Sequence, residues 1–173
     1  MAVVLMAYAS RNGSTRGIAE RIAASLDEYG NQVEVHQVGR APEAGGYDAA
    51  VFGCGLYGGA WPTEAQAYVR RNQATLLRRP VWLFSVGIGA AAVEQGFRFA
   101  GMLAGEGPKV VGQFQDTIGP RDHHVFAGAI EPAHLSRVGR LLYRGIRGKY
   151  GDFRDWKDVD AWSDTIARQL ADD

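Results

Sequence analysis

A short polar segment near the amino terminus combines three hydroxyls, an amide and a glycine: Ser10, Arg11, Asn12, Gly13, Ser14 and Thr15. It follows an apolar run and precedes apolar residues at helical spacing, so it stands where a strand gives way to a helix. The first turn of a helix has N–H groups without intrahelical partners, and the helix dipole attracts anions there. Because the segment has no lysine, which a P-loop for a nucleoside triphosphate requires, it predicts a site for a single terminal phosphate. The alternative is a polar helix cap without a ligand.

Two other segments match dinucleotide-binding patterns. Residues 53–58 fit G-x-G-x-x-G, and residues 87–92 fit its G-x-G-x-x-A variant. The first pattern is separated from the next helical segment by Trp61 and Pro62, so its glycines do not open that helix. The second pattern is followed about 20 residues later by Glu106, which is the distance at which dinucleotide-binding domains have an acid that binds the ribose. It follows the fourth strand, however, whereas a dinucleotide fold carries this pattern after its first. We therefore favour residues 10–15 as the phosphate site.

Five apolar runs alternate with helical segments along the chain, near residues 3–9, 33–38, 47–52, 80–86 and 125–130. The clearest helix follows Asp155, which can cap it, and Thr63 with Gln66 has the spacing of a capping box for an earlier helix. We find no repeat and no linker, so residues 1–173 are expected to form one domain. The pattern predicts an α/β fold with three layers, a doubly wound parallel sheet between helices. Such sheets bind ligands outside the carboxyl ends of their strands, where residues 10–15 lie.

Composition narrows the function further. Lys plus Arg and Asp plus Glu both total 19, so the net charge of zero argues against a nucleic-acid partner. The single cysteine, Cys54, excludes an intrachain disulfide and a four-thiolate metal site, and no metal is expected. We interpret Cys54 as a small buried residue. The chain has no basic leader and no apolar stretch of about 20 residues, so a cytoplasmic location is expected.

The segment at residues 10–15 resembles the S/T-x-T/N-G-x-T phosphate loop of the flavodoxins. Over nearly the whole chain, further segments are similar to the flavodoxin-type protoporphyrinogen dehydrogenases: residues 47–59, 68–71, 84–86, 125–130 and 151–156. The resemblance implies a flavodoxin-like five-stranded sheet of order 2-1-3-4-5 and FMN as cofactor. It also implies an oxidoreductase that passes electrons from a small-molecule substrate through the flavin to a quinone.

The resemblance also implies which residues contact the flavin. Residues 10–15 would hold the phosphate, and two later loops would contact the ring, through Gly55, Leu56, Tyr57 and Gly58 and through Ser85, Val86 and Gly87. Tyr57 is the first choice for a stacking aromatic and Trp61 the second. None of His36, His123, His124 and His134 belongs to a recognisable acid–base constellation. No catalytic side chain is therefore named, since the flavin performs the chemistry.

One departure from the family leaves alternatives open. Residues 88–93 read Ile-Gly-Ala-Ala-Ala-Val, where the family has a polar loop with lysine and arginine. The same fold could therefore bind a deazaflavin for hydride transfer. A one-electron carrier is a second alternative, although carriers of this family are strongly acidic and this chain is neutral. A cofactor-free interaction module is a third.

A basic segment lies near the end of the chain. Arg137, Arg140, Arg144 and Arg147 step by three and four, and residues 136–150 contain no acid. On a helix the four arginines would share one face, which predicts peripheral contact with an anionic membrane surface or an acidic substrate. The alternative is an ordinary solvated face.

Overall fold

Five parallel strands form the central sheet of the computed structural model, which describes residues 1–57, 60–87, 112, 114, 117–145 and 149–172. The strands are β1 (Val3–Ala9), β2 (Gln32–Gln37), β3 (Ala49–Gly55), β4 (Val81–Gly87) and β5 (Asp122–Ala127). Their order across the sheet is β2-β1-β3-β4-β5, and every neighbouring pair is parallel. The predicted fold class and the 2-1-3-4-5 order are confirmed.

Helices cover both faces of the sheet. They are α1 (Ser14–Glu28), α2 (Thr63–Arg71), α3 (Gln73–Leu76), α4 (Arg137–Gly145) and α5 (Trp156–Ala171). One apolar cluster joins Phe52 and Leu83 of the sheet to Tyr68 of α2. A second cluster, on the other face, joins Met6 to Ile22 of α1 and Ile166 of α5. Because β3 and β4 are buried along their whole length, they are apolar on both faces, as interior parallel strands are.

Two boundaries differ from the sequence prediction. Pro62, not Thr63, is the N-cap of α2, so the predicted capping box is wrong. The Gln66 side chain instead donates to the Trp61 carbonyl at 2.8 Å. The run at residues 125–130 is not a single strand, because the ladder of β5 with β4 ends at Ala127. The next residues form β6 (Ala129–Ile130), which pairs antiparallel with β7 (Gly151–Asp152).

The first glycine of the pattern at residues 53–58 has a packing role. Gly53 lies inside β3, opposite Phe84 of β4. A Cβ at Gly53 would lie 1.8 Å from Cζ of the Phe84 ring, which is fully buried. This glycine is therefore required because an aromatic ring lies directly on the strand, and it does not open a helix toward a dinucleotide.

No helix in the described segments combines the length and the apolar character that crossing a membrane requires.

Candidate functional site

A pocket lies at the carboxyl edge of the sheet, between the turn after β1, the ends of β3 and β4, and the segment after β5. Its volume is about 270 Å³. The lining residues are Asn12, Ser14, Thr15, Gly55, Leu56, Tyr57, Val86, Gly87, Gly128, Ala129, Ile130, His134 and Leu135. The fold thus brings together residues from all three loops that the family resemblance implies as flavin contacts. Contact of these residues with a flavin stays a prediction.

The turn after β1 is built around Gly13. This residue is the N-cap of α1 and has a φ of 87°, in the left-handed region that favours glycine. Its backbone N–H donates to Oγ of Ser10 at 3.0 Å, so the Gly13 amide is used within the turn. No side chain caps α1, which leaves the N–H groups of its first turn, at Ser14 and Thr15, for a ligand.

Thr15 carries a buried hydroxyl at the end of the pocket nearest α1. Its exposure is 1%, and it forms no side-chain hydrogen bond with any described residue. A buried hydroxyl without a partner costs about 1–3 kcal/mol, so its presence needs a physical explanation. A phosphate oxygen in the pocket supplies the missing acceptor beside the positive end of the α1 dipole. The donors present at this end therefore fit a phosphate group.

Tyr57 lines the same pocket and contacts the turn after β1. Its hydroxyl accepts a hydrogen bond from the backbone N–H of Arg11 at 3.0 Å, and the Arg11 guanidinium lies 4.3 Å from the ring centroid. A Cβ at Gly55 would lie 2.9 Å from the Tyr57 hydroxyl oxygen, so only glycine leaves room for this ring. The backbone N–H of Leu56 donates to the carbonyl of Val86 at 2.8 Å, which joins the loops after β3 and β4.

Gly128 lines the pocket between Ser14 and Val86. A Cβ there would lie 3.0 Å from Cγ1 of Val86 and 3.5 Å from Oγ of Ser14. A larger residue would therefore fill space between the phosphate end and the loop after β4. Small residues and apolar walls with a few polar groups are typical of cofactor clefts.

Two predicted contact residues lie behind the pocket. Trp61 is 3% exposed and packs against Phe114, and Ser85 is fully buried. Neither lines the pocket. Trp61 Nε1 donates to Oγ of Ser85 at 2.9 Å, and that hydroxyl lies 2.9 Å from Nε2 of His123. The Trp61 indole thus packs in the core in this structure, and its choice as the second stacking aromatic stays a prediction.

Burial lowers the pKa of His123 to about 4, so this ring is neutral near pH 7. A neutral ring lets Nε2 accept from the Ser85 hydroxyl, whose oxygen in turn accepts from Trp61 Nε1. Burial likewise raises the pKa of the Cys54 thiol well above its usual value, in agreement with an unreactive buried residue.

Gly58, Glu106 and the divergent segment at residues 88–93 lie outside the described residues, as does Arg147. Of the second glycine pattern, only Gly87 is described, and it lines the pocket.

His134 is a pocket residue that sequence reasoning missed. It ends a 3-10 turn (Pro132–His134), and its Nδ1 accepts from the backbone N–H of Glu131 at 3.2 Å. This bond places the proton of the neutral ring on Nε2. The available signal was the acid three residues before the histidine, since the two residues form a capping box around the turn.

Comparison with known proteins gives the family. A model of the flavodoxin domain matches residues 5–155. The chain belongs to the flavodoxin domain family. This flavodoxin domain is 31% identical, over 93 residues, to the protoporphyrinogen IX dehydrogenase (quinone) of Escherichia coli strain K12. That match covers 53% of this chain and 51% of the relative, so the chain spans about half the length of the curated relatives it matches.

Solved structures agree on the fold. A short-chain flavodoxin associated with a PDU bacterial microcompartment superposes with a TM-score of 0.64 at 16% identity, covering 98% of this chain and 99% of that one. The Fusobacterium nucleatum flavodoxin bound to flavin mononucleotide has a TM-score of 0.56 at 15% identity, with 98% and 99% covered. At these identities the likeness shows a shared fold.

Proposed function

We propose that this flavodoxin domain binds FMN in the pocket at the carboxyl edge of the sheet and acts as a flavin-dependent oxidoreductase. In this proposal electrons pass from a small-molecule substrate through the flavin to a quinone. The observation that carries the cofactor assignment is the buried hydroxyl of Thr15 in the pocket wall, which has no hydrogen-bond partner among the described residues. Two further observations support FMN as the cofactor. The chain belongs to the flavodoxin domain family, and one structural neighbour has flavin mononucleotide bound.

The residues of the pocket have distinct tasks in this proposal. Ser14 and Thr15, with the amides of the first turn of α1, bind the phosphate. Tyr57 and Leu56 contact the ring system and exclude water from one side of it. Gly128 leaves space for the cofactor between Ser14 and Val86. Bound FMN supplies both hydride and one-electron chemistry, so no side chain of the pocket needs to act as a nucleophile.

The enzyme assignment rests on the relative that is named protoporphyrinogen IX dehydrogenase and on charge. Electrostatic steering toward a protein partner requires net charge, and this chain has 19 basic and 19 acidic residues. The second candidate is a one-electron carrier, which is favoured by the likeness to flavodoxins along 98% of the chain. A third proposal is that the same pocket binds a deazaflavin in place of FMN. Titration of the ligand-free protein with each cofactor tests it.

The test is anaerobic oxidation of protoporphyrinogen IX by the FMN-loaded protein, with a soluble naphthoquinone as acceptor and porphyrin fluorescence as the signal. We expect a rate that requires protein, FMN and quinone together. The matched control is the Thr15→Val protein without added FMN. It should give the background rate. A background rate for the loaded protein, with rapid one-electron transfer from its dithionite-reduced flavin to cytochrome c, would support the carrier instead.

A further inference from the structure

Helix α4 contacts the rest of the protein through Tyr143, as far as the described residues show. Tyr143 is 8% exposed and packs in a small cluster with Ala127 and Ile130. Its hydroxyl donates to the carbonyl of Lys149 at 2.7 Å, and its ring lies 5.1 Å from that of Tyr150. These contacts fix which side of α4 faces the protein, and hence which side faces solvent.

The solvent side of α4 carries two large apolar side chains. Val138 is 68% exposed and Leu141 is 71% exposed. Residues three apart are neighbours on a helix, and a period of 3.6 residues places both nearly opposite Tyr143. They therefore form an apolar ridge (Val138 and Leu141) that points away from the protein. Adjacent exposed apolar residues on a polar background mark interaction surfaces.

Three arginines lie along one side of this ridge. Arg137, Arg140 and Arg144 are all exposed, and no carboxylate of the described residues forms an ion pair with them. Arginines elsewhere on the surface do form ion pairs: Arg16 with Glu20, and Arg21 with Asp160. Within the described part of the chain, the surface of α4 thus has positive charge without a paired carboxylate, beside apolar side chains.

We propose that α4 docks on an anionic lipid bilayer, with the apolar ridge in the headgroup–acyl boundary and the three arginines among the lipid phosphates. A stable protein interface buries about 800 Å² on each partner, much more than a ridge of two side chains offers. Interfacial helices need only such an insertion together with electrostatic attraction. Leu135, two residues before α4, lines the pocket, so docking brings the pocket edge of the sheet to the membrane.

Flotation tests the docking, and it needs no flavin, so its result is independent of the proposed function. The protein is mixed with vesicles of phosphatidylcholine alone or of phosphatidylcholine and phosphatidylglycerol in equal parts. We expect flotation only with the anionic vesicles. Each arginine should contribute about fivefold to the partition coefficient, so Arg137→Gln, Arg140→Gln and Arg144→Gln together should lower it about a hundredfold. Val138→Ser with Leu141→Ser, which keeps the charges, should lower it about tenfold.

The chain offers a matched control at the opposite edge of the sheet. Leu77 is 55% exposed and is followed by two exposed arginines, Arg78 and Arg79, just before β4. Leu77→Ser with Arg78→Gln and Arg79→Gln removes the same kinds of side chain away from the pocket. This variant should float like the wild type, and circular dichroism should show that all variants remain folded.

A probe of depth provides a second measurement on folded protein. The only cysteine, Cys54, is 1% exposed, so an introduced surface cysteine can be labelled selectively. A nitrobenzoxadiazole label on Leu141→Cys should shift to the blue with anionic vesicles and be quenched by spin-labelled lipid, whereas the label on Leu77→Cys should do neither.

Three outcomes would overturn the proposal. The first is wild-type protein that floats with neither kind of vesicle, which would leave α4 as a surface for an acidic protein. The second is equal loss of flotation in the α4 and Leu77 variants, which would indicate nonspecific attraction. The third is a label at position 141 that stays in water while the protein is bound.

Discussion

The guanidinium of Arg11 lies 4.3 Å from the centroid of the Tyr57 ring, and the Arg11 backbone N–H donates to the Tyr57 hydroxyl at 3.0 Å. The two contacts join the turn after β1 to the loop after β3. One face of the ring is therefore covered by a cation. A flavin ring that stacks on Tyr57 has to use the opposite face or displace the guanidinium.

Tyr57→Ala should weaken FMN binding by roughly tenfold to a hundredfold, because stacking and apolar contact area are both lost. Tyr57→Phe keeps the ring and removes only the hydrogen bond from Arg11, so it should cost about fivefold or less. Titration followed by quenching of flavin fluorescence measures both. Equal affinities for wild type and Tyr57→Ala would remove Tyr57 from the site.

Thr15→Val replaces a hydroxyl that has no partner in the described part of the chain with a methyl group of similar shape. Without ligand the variant should be at least as stable as the wild type, since a buried polar group without a partner is removed. Its affinity for FMN should fall by about tenfold to a hundredfold, the range for a hydrogen bond to a charged group. Riboflavin, which lacks the phosphate, is the control, and its affinity should not change. A parallel loss for riboflavin would place Thr15 away from the phosphate.

Gly53→Ala should destabilise the protein by about 3 kcal/mol or more, because the new methyl group would overlap the Phe84 ring inside a close-packed core. Gly39→Ala is the matched control, since a Cβ there meets nothing within 4 Å. Urea unfolding of both variants measures the difference in free energy. A stable Gly53→Ala protein with altered ligand affinity would instead favour a dinucleotide-type role for this glycine.

The pH dependence of stability should include a contribution from His123. Burial lowers the pKa of its folded form to about 4, so between that value and the ordinary value near 6.5 the unfolded chain binds the proton more readily. Stability should therefore fall as pH drops from about 7 to about 5, by about 1–2 kcal/mol for this partly exposed group. His123→Gln should lack this part of the loss in urea unfolding at the two pH values. Identical pH profiles would contradict the assignment of a neutral His123.

The interior strands were predictable because their signal is local. β1, β3 and β4 are apolar on both faces, and Asp155 accepts hydrogen bonds from the N–H groups of Lys157 and Asp158 as an N-cap should. The separation of β6 from β5 was not predictable, since it depends on pairing with β7, which lies about 20 residues further along the chain. The continuous apolar run at residues 125–130 does not show that its first part pairs with β4 and its last part with β7.

The candidate site shows the same division. Residues 12–15 and Tyr57 follow strands directly, so the edge of a parallel sheet brings them to one pocket. Ser85 and Trp61 also stand near strand ends, but side-chain direction decides their environment, and both point into the core. His134 lies in a short turn directly after β6, whose pairing with the distant strand β7 no local pattern reveals.

The central claim is that the turn at residues 10–15 holds the phosphate of FMN. Its most direct test is titration of the ligand-free protein with FMN and, in parallel, with riboflavin and a deazaflavin. We expect one FMN per chain and an affinity at least about tenfold above that of riboflavin, since only FMN carries the phosphate. Equal affinities for FMN and riboflavin, a preference for the deazaflavin, or no binding of FMN would contradict the claim.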